Sequence, residues 1–580
     1  MKLLMPMLLL LPALAASAVE RPNVVVLLVD DGGFMDFGGY GGEANTPNIN
    51  AIADRGVRFS NYHTSPLCAP SRAMLLTGLD NHRTGVGTIP EVVTEAQRDA
   101  RAYRLSLLPE VDTIADRLKA AGYQTYMTGK WHLGREAGDL PNHHGFDRSF
   151  TLDASGADNW EQRSYMPYYD IAPWFEDGEP ADLPDDFYSS RFLIGKMIEY
   201  LDTRDRQAPF FSYVAFQAIH IPVQAPKEFI DRYAGVFSEG WDALRDQRFE
   251  RASALGLVPE GAAPPAPHPS LRPWRSLSEA DRQHYEASMM VNAGMLEAMD
   301  HYIGQLVTYL EAEGELSSTV FVITSDNGPE FNDPSTNEAF ISWMNQNDYH
   351  LDRERLGGQG YLGAIGTEWA SAAAVPGSLY KMYATEGGTR VPLIVSGPGV
   401  EPQQGFNGAL NFVTDIAPTV ADMAGADAAG MDGRSLLPLI NGDASRVYRD
   451  TDEIAMEVAG NAALFKGDYK ITRNTRPHGD FLWRLYNVAE DPAEAHDLSA
   501  DLPDLKSQML AAYSRFEDQL GVVPVPKDFD IVGQIRANTT AVVLRRNLPT
   551  FLAIGIGALT VSAVLFLMIR RRRAARFGSP

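Results

Sequence analysis

The amino-acid sequence predicts an α/β protein with a large, mostly parallel central sheet flanked by helices, a smaller C-terminal α+β subdomain and a C-terminal transmembrane helix. Two observations predict the sheet: short apolar runs rich in Val, Ile, Phe and Tyr, and helical patterns between them. Strands that alternate with helices are typical of parallel sheets, which bind ligands beyond the carboxyl ends of their strands. A third observation, an uncharged apolar segment near the C-terminus, predicts the transmembrane helix.

Four apolar runs predict strands of the main sheet, and each is followed by polar residues: "NVVVLLV" by Asp30 and Asp31, "GYQTYMTG" by Lys130 and His132, "PFFSYVAFQ" by His220, and "STVFVITS" by Asp326 and Asn327. Because the carboxyl ends of parallel strands meet at one edge of a sheet, we expect these side chains to lie close together. The helical pattern "EVDTIADRLKAAG" and the longer one that begins at "QHYEASMM" supply the flanking helices.

The C-terminal part of the chain has a different pattern. "ALFKGDYKITRN" and "DFLWRLYNVAEDP" predict short hairpin strands, and a helix follows at "LPDLKSQMLAAYSRFEDQL". We therefore expect a main domain over residues 19–440, an α+β subdomain over 441–530 and a linker over 531–547.

Both ends of the chain carry apolar segments. Residues 1–18 combine one lysine, a short apolar run and small residues near the end, which predicts a cleavable signal peptide; an uncleaved N-terminal anchor is the alternative. Residues 548–569 have about the 20 residues that a bilayer requires, and an arginine-rich segment, predicted as a cytoplasmic tail over 570–580, follows them. These features predict an exported protein that the C-terminal helix anchors to the membrane, with its main domain in the periplasm or extracytoplasmic space.

The composition excludes some functions. The formal net charge of −25 argues against nucleic acid as a partner, because binding a polyphosphate requires a basic face. The chain has a single cysteine, so it cannot form an internal disulfide. The role of that cysteine needs another explanation.

The acidic pairs at the strand ends indicate a metal site. Asp30, Asp31, Asp326 and Asn327 offer hard oxygen ligands without sulfur or imidazole, which favours Ca²⁺ or Mg²⁺ over Zn²⁺. Asp-Asp-Gly and Asp-Asn-Gly also form turns readily, and for each pair alone that alternative stays open.

The single cysteine, Cys68, lies in the segment "PLCAPSRAMLLTG". Pro70 suits the first turn of a helix, which predicts that Cys68 lies at a helix N-terminus, where backbone N–H groups favour negative charge. A small buried hydrophobic residue and a reactive thiol are the alternatives.

These motifs resemble those of the sulfatase family, and bacterial arylsulfatases in particular. "CAPSR", from Cys68 to Arg72, matches the C-x-P-S-R signature of the family, and "GYQTYMTGKWHLG" matches its second signature. The segments "LPNHHGFD", "VAFQAIHIPVQAP", "ITSDNG", "LYKMYATEGGTRVPLIVSGPG" and "LYNVAEDPAEAHDL" are also similar. The resemblance covers nearly the whole chain between the two apolar ends.

The resemblance implies a sulfuric ester hydrolase that cleaves the sulfate monoester of a small molecule or a glycan to an alcohol and inorganic sulfate. It also implies that a formylglycine-generating enzyme oxidises Cys68 to formylglycine during export. One hydroxyl of the hydrated aldehyde attacks sulfur, and the other later expels sulfate. A thiol that attacked the ester would form a stable product, because it has no second hydroxyl through which the sulfate could be expelled.

The resemblance also implies the metal ligands, which are Asp30, Asp31, Asp326, Asn327 and the converted Cys68. The implied metal is Ca²⁺, with Mg²⁺ as the alternative, and it polarises the nucleophile and the sulfate as a Lewis acid.

The resemblance assigns a catalytic role to five further residues. Arg72 and His132 hold and deprotonate the hydrated aldehyde, and Lys130 bridges it to the sulfate. His220 binds the sulfate and protonates the departing alcohol. Lys381 in "SLYKMY" contacts the remaining sulfate oxygens, where negative charge develops.

Two other functions remain as alternatives. A related phosphonate or phosphodiester hydrolase shares the formylglycine motif, but it typically has glutamine in place of Asp31 and histidine in place of Asn327. A catalytically inert binder of sulfated glycans would lose the nucleophile or the metal ligands, all of which are present here. The alcohol part of the substrate is not predicted, although the aromatic-rich segments 157–179 and 330–372 are candidates to contact it.

Overall fold

The computed structural model describes residues 21–577. The predicted signal peptide, residues 1–18, lies outside the described residues.

The strands are β1 (Asn23–Val29), β2 (Gly56–Phe59), β3 (Tyr62–His63), β4 (Gln124–Lys130), β5 (Arg148–Leu152), β6 (Trp174–Glu176), β7 (Glu179–Pro180), β8 (Phe210–Ala215), β9 (Thr319–Ser325), β10 (Leu393–Ser396), β11 (Asn411–Phe412), β12 (Ile454–Val458), β13 (Asn461–Lys466), β14 (Tyr469–Arg473) and β15 (Arg484–Asn487). The α-helices are α1 (Pro47–Ala53), α2 (Cys68–Thr77), α3 (Asn81–Thr84), α4 (Ile114–Ala120), α5 (Ser189–Asp202), α6 (Lys227–Ile230), α7 (Gly240–Ala254), α8 (Glu279–Ala312), α9 (Glu338–Gln346), α10 (Gly366–Ala373), α11 (Glu386–Thr389), α12 (Ile416–Ala424), α13 (Leu437–Ile440), α14 (Pro503–Leu520) and α15 (Ile531–Phe577).

The large sheet has nine strands in the order β2-β10-β9-β1-β8-β4-β5-β6-β7. Its five central strands, from β9 to β5, are parallel, whereas the outer strands on both sides pair antiparallel. The predicted α/β fold is therefore present, but the sheet as a whole is mixed. The four strands predicted from the sequence, β9, β1, β8 and β4, are direct neighbours.

Strand β1 is buried along its whole length because helices cover both faces of the sheet. Val25, Leu27 and Val29 face a core to which helices α5 and α8 contribute. Val24, Val26 and Leu28 face a second core, to which α2, α4 and α12 contribute. Burial on both faces explains why this strand is a continuous apolar run rather than an alternating one.

A separate four-stranded antiparallel sheet, in the order β12-β13-β14-β15, follows near the C-terminus. The segment "ALFKGDYKITRN" forms the β13–β14 hairpin. Helix α14 packs on this sheet through Met509 and Tyr513, which share a small core with Leu464 and Ile471. The sheet contacts the main part of the molecule through apolar side chains, such as Met456 and Phe465 against Phe412, and through buried ionic groups.

His82 is one of these groups. Its Nδ1 lies 3.0 Å from Asp80 Oδ1 and its Nε2 lies 3.0 Å from Glu457 Oε2, which belongs to strand β12. Burial opposes the charge of the ring, but the hydrogen bonds to Asp80 and Glu457 outweigh it and raise the pKa of His82 from its ordinary 6.5 to about 9. The protonated ring thus holds the C-terminal sheet against helix α3.

This arrangement predicts a loss of stability at alkaline pH. Because the pKa of His82 is higher in the folded state, its stabilisation is complete below the unfolded pKa of 6.5 and disappears as the pH rises through about 9. Chemical unfolding across this range should show a loss of up to about 3 kcal/mol from this group. Near pH 6 a His82→Gln variant should have a lower free energy of unfolding than the wild type, and it should lose less of that free energy as the pH rises. If the free energies of the two proteins fell in parallel with pH, the role given to His82 would be contradicted.

The predicted C-terminal transmembrane helix over 548–569 is wrong. Across residues 21–577, each helix is either too short or too polar to cross a bilayer. The apolar run is only one part of the 47-residue helix α15, which contains Pro549 and carries arginines both before and after the run. The predicted membrane anchor, and with it the localisation that depended on this anchor, is therefore overturned.

Candidate active site

The polar side chains at the ends of four neighbouring strands converge. Asp30 and Asp31 follow β1, Asp326 and Asn327 follow β9, Lys130 ends β4, and His132 and His220 lie in the loops after β4 and β8. Each of these residues is buried. The parallel order of the strands places them at one edge of the sheet, as expected.

Cys68 is the first residue of helix α2 and is buried next to the acidic residues. Its Sγ lies 3.8 Å from Asp31 Oδ1. Burial raises the pKa of this thiol well above its ordinary value, although Lys130 and Lys381 act in the opposite direction. Since the thiolate is the reactive form of cysteine, an unmodified Cys68 is a poor nucleophile in this position.

The carboxylates form a cluster that fits a divalent cation. One ligand atom from each of Asp30, Asp31, Asp326 and Cys68 lies within 4.8 Å of all the others. Asn327 donates from Nδ2 to Asp31 Oδ1 at 2.6 Å, while its buried Oδ1 has no partner among the described residues. Burial raises the pKa of Asp30 to about 6 and that of Asp31 well above its ordinary value. A hard cation would offset this cost, and carboxylate and amide oxygens are the ligands that Ca²⁺ prefers.

Three basic side chains contact these acids. Lys130 Nζ lies 2.9 and 2.6 Å from the two oxygens of Asp30, and Lys381 Nζ lies 2.8 Å from Asp31 Oδ2. Arg72 donates to Asp326 Oδ2 from Nε at 2.9 Å and from Nη2 at 2.7 Å. Despite the negative charge of the whole chain, three buried cationic side chains therefore lie among these carboxylates.

The two histidines differ in their hydrogen bonding. His220 Nδ1 lies 2.5 Å from the carbonyl oxygen of Ile221, which leaves Nε2 available, 3.7 Å from Asp31 Oδ2. Neither ring nitrogen of His132 has a partner within residues 21–577. Burial lowers the pKa of both rings well below its ordinary value. The lowered pKa favours the neutral form of the His132 ring, whose two nitrogens have no partner among the described residues.

The backbone is strained at two of these residues. Asp31 and His132 have φ angles of 67° and 59°, in the left-handed region that residues other than glycine rarely adopt. Such strain persists only where the surroundings enforce it, and it concentrates at functional sites.

Comparison with known proteins decides the family. The family model described as Sulfatase matches residues 22–426, well over half of the chain. The chain belongs to the sulfatase family. A second model, described as the C-terminal part of N-sulphoglucosamine sulphohydrolase, matches residues 377–517. The predicted family and the predicted sulfatase activity are therefore confirmed.

Individual sulfatases resemble this one along most of their length. An arylsulfatase of Klebsiella aerogenes is 34% identical over 435 residues, which cover 73% of this chain and 91% of that protein. An uncharacterized sulfatase of Schizosaccharomyces pombe is 32% identical over 532 residues, 88% of this chain and 96% of that one. The solved structure of the PsFucS1 sulfatase from Pseudoalteromonas sp. shares the fold, with a TM-score of 0.56 and 21% identity over 87% of this chain and 92% of that chain.

Sequence reasoning placed Glu330 only within the candidate substrate segment 330–372 and missed its contacts with this cluster. Its Oε2 lies 2.9 Å from Lys381 Nζ and 3.6 Å from His220 Nε2. Burial opposes the charge of Glu330, but Lys381 outweighs this effect, and the pKa of the carboxyl is lowered. Glu330 follows the Asp-Asn-Gly turn by only a few residues. This closeness in sequence to Asp326 and Asn327 could have indicated that it belongs to the cluster.

Proposed function

We propose that this sulfatase is an arylsulfatase-like sulfuric ester hydrolase that uses a formylglycine at position 68 and Ca²⁺. The observation that carries the proposal is the burial of Cys68 within 4.8 Å of the ligand atoms of three aspartates. A formylglycine there would supply a hydrated aldehyde: one hydroxyl would bond to sulfur as the S–O bond to the alcohol breaks, and deprotonation of the other would then break the C–O bond to sulfate and restore the aldehyde. It is the product of a formylglycine-generating enzyme acting on "CAPSR".

The cation would be held by the oxygens of Asp30, Asp31, Asp326 and Asn327, together with the residue at position 68. The unpartnered Oδ1 of Asn327 supports its inclusion. At these ligands Ca²⁺ would supply a Lewis acid for the sulfate and the nucleophile. Mg²⁺ is the alternative, and it demands a tighter octahedral arrangement.

The protein's own residues would position the ester and move the protons. His132 would accept the proton of the nucleophilic hydroxyl, since its ring nitrogens have no partner among the described residues and its lowered pKa favours the unprotonated ring. Arg72 would hold that hydroxyl, and Lys130 would bridge it to the sulfate. Lys381 would bind the remaining sulfate oxygens and balance their charge.

His220 would protonate the alcohol as it leaves. The contact of Nδ1 with the carbonyl oxygen of Ile221 fixes the ring and leaves Nε2 free for this purpose. Glu330, 3.6 Å from Nε2, would favour the charged form of the ring when it carries the proton.

We also propose a division of the chain into a catalytic domain over 19–440 and a smaller subdomain over 441–530. The match of the sulfatase model to residues 22–426 supports the first, and the four-stranded sheet with helix α14 supports the second.

Peptide mass spectrometry of active enzyme tests the proposed nucleophile. We expect the peptide that contains position 68 to carry an aldehyde or its hydrate, and we expect an aryl sulfate to be cleaved faster than the matched phosphate esters. Fully active protein with only an unmodified thiol would refute the formylglycine. A clear preference for the phosphate esters would instead support the phosphonate or phosphodiester hydrolase.

A further inference from the structure

The imidazole ring of His220 is fixed by a hydrogen bond at one nitrogen only. Its Nδ1 lies 2.5 Å from the carbonyl oxygen of Ile221. Its Nε2 lies 3.7 Å from Asp31 Oδ2 and 3.6 Å from Glu330 Oε2, and both distances are longer than those of a hydrogen bond. One hydrogen bond at Nδ1 does not set the plane of the ring. The position of Nε2 therefore depends on the groups that pack against the imidazole.

Gly156 is one of these groups. It lies in the buried loop after β5, and a Cβ atom at this position would be 2.8 Å from His220 Nδ1 and 3.0 Å from its Cε1. These distances are well inside van der Waals contact, so a larger residue would displace the ring. Gly156 does not have a positive φ angle. The close approach to His220, and not the backbone conformation, is therefore what requires glycine here.

Tyr165 is the second group that packs against the imidazole. The centroids of the Tyr165 and His220 rings are 5.4 Å apart, and the ring planes are almost perpendicular, at 88°. This is one of the favourable geometries for a pair of aromatic rings. Both side chains are buried, and closely packed side chains cannot turn independently of their neighbours. A rotation that moved Nε2 of His220 would therefore have to displace Tyr165.

Hydrogen bonds between buried groups hold Tyr165 in place. Its hydroxyl lies 2.9 Å from Ser155 Oγ. The backbone N–H of Ser155 donates to the hydroxyl of Tyr169 at 3.2 Å, and this hydroxyl donates to Glu91 Oε1 at 2.5 Å. Ser155 is also the direct chain neighbour of Gly156. The same network therefore fixes both of the groups that contact the imidazole.

Tyr165 belongs to the segment 157–179, whose aromatic side chains are candidates to contact the alcohol part of the substrate. Its side chain is only 7% exposed. Its hydroxyl lies against Ser155 and its ring lies against His220. These contacts favour a role in holding the histidine over a direct contact with the substrate.

We propose that Gly156 and Tyr165 are positioning residues for His220, and that they hold its ring so that Nε2 faces the oxygen of the departing alcohol. The inference rests on the proposed function, in which a proton moves from Nε2 to this oxygen as its bond to sulfur breaks. A displaced Nε2 leaves more negative charge on the oxygen in the transition state. The rate then depends more strongly on how well the alcohol carries that charge.

The test measures this dependence in the full-length, matured enzyme with 4-nitrophenyl sulfate and phenyl sulfate. The two esters have similar shapes, but 4-nitrophenolate is the more stable anion and needs the proton less. We expect Gly156→Ala and Tyr165→Leu each to raise the ratio of kcat/KM for 4-nitrophenyl sulfate to kcat/KM for phenyl sulfate about tenfold. Tyr165→Phe keeps the ring and loses only the hydroxyl, so its ratio should stay closer to that of the wild type.

Two substitutions in helix α5 are the matched controls. Gly195 is exposed, and the space around its Cβ position is open, so Gly195→Ala should keep the wild-type ratio. Tyr200 is a buried tyrosine whose ring packs against Tyr126. Tyr200→Leu should lower the stability of the protein and leave the ratio unchanged. If it raised the ratio as much as Tyr165→Leu does, the effect would come from a general loss of stability and the positioning role would be wrong.

A His220→Ala variant separates this inference from the proposed function. It should raise the ratio at least as much as either positioning variant. If it does so while Gly156→Ala and Tyr165→Leu keep the wild-type ratio, or lower kcat/KM equally for both esters, the positioning role is refuted and the proposed function stands. If His220→Ala leaves the ratio unchanged, His220 is not the proton donor. Crystal structures of the two positioning variants then decide whether the ring is held, since an unmoved Nε2 in both would overturn the inference.

Discussion

A Cys68→Ala variant is expected to lose at least about 10⁴-fold in kcat/KM for sulfate esters and to remain folded. The substitution removes the cysteine from which the formylglycine nucleophile is made. Without the hydrated aldehyde there is neither a hydroxyl to attack sulfur nor a second hydroxyl to expel sulfate. Alanine suits the first turn of helix α2, and the thiol that it replaces has only a weak interaction with Asp31, with Sγ and Oδ1 3.8 Å apart. Initial rates of sulfate release and a thermal unfolding curve measure the two effects.

A Cys68→Ser variant is the informative control for this prediction. Its hydroxyl can form a bond to sulfur while the ester S–O bond breaks and the alcohol leaves with a proton from His220. Serine has no second hydroxyl on the same carbon, so the sulfated side chain cannot break its C–O bond to release sulfate. We expect at most a single turnover and a peptide heavier by one SO₃ unit. Sustained turnover by either variant would show that position 68 does not supply the nucleophile.

The convergence of the centre could be predicted from the sequence because it depends on local patterns. The apolar runs of β1 and β9 are long enough to identify strands, and Asp30 and Asp326 come directly after them. Parallel strands place such residues at one edge without any knowledge of the loops. The helix that begins at Cys68 follows in the same way from Pro70.

Contacts that depend on long loops could not be predicted in this way. Glu330 and Lys381 are 51 positions apart, and only the folded loops place Nζ 2.9 Å from Oε2. Lys381 was predicted because "SLYKMY" resembles a sulfatase segment. The spacing of apolar residues along the chain did not indicate it. The error at the C-terminus has a related cause, since the apolar run 548–569 was interpreted alone while helix α15 continues through it in both directions.

The buried ionic cluster around Lys470 leads to a prediction about stability. Lys470 in strand β14 is buried, and its Nζ lies 2.9 Å from Glu386 Oε1 and 2.9 Å from Glu494 Oε1. Burial opposes the charge of Glu386, but Lys470 and His63 outweigh it and lower the pKa of this carboxyl. Burial raises the pKa of Glu494 to about 6, against the attraction of Lys470. One lysine thus compensates two buried acids, of which Glu386 belongs to α11 on the main domain.

Lys470→Met should lower the free energy of unfolding by about 3–5 kcal/mol, because it leaves two carboxylates buried without their cation. Chemical unfolding followed by circular dichroism measures the loss. Lys466→Met, on the neighbouring strand β13, removes a partly exposed pair with Glu453 and should cost less than about 1 kcal/mol. Adding Glu386→Gln and Glu494→Gln to Lys470→Met should recover much of the stability, since the uncompensated charges are then gone. Equal losses for the two lysine variants would show that the main domain and the C-terminal sheet are held together by packing rather than by this cluster.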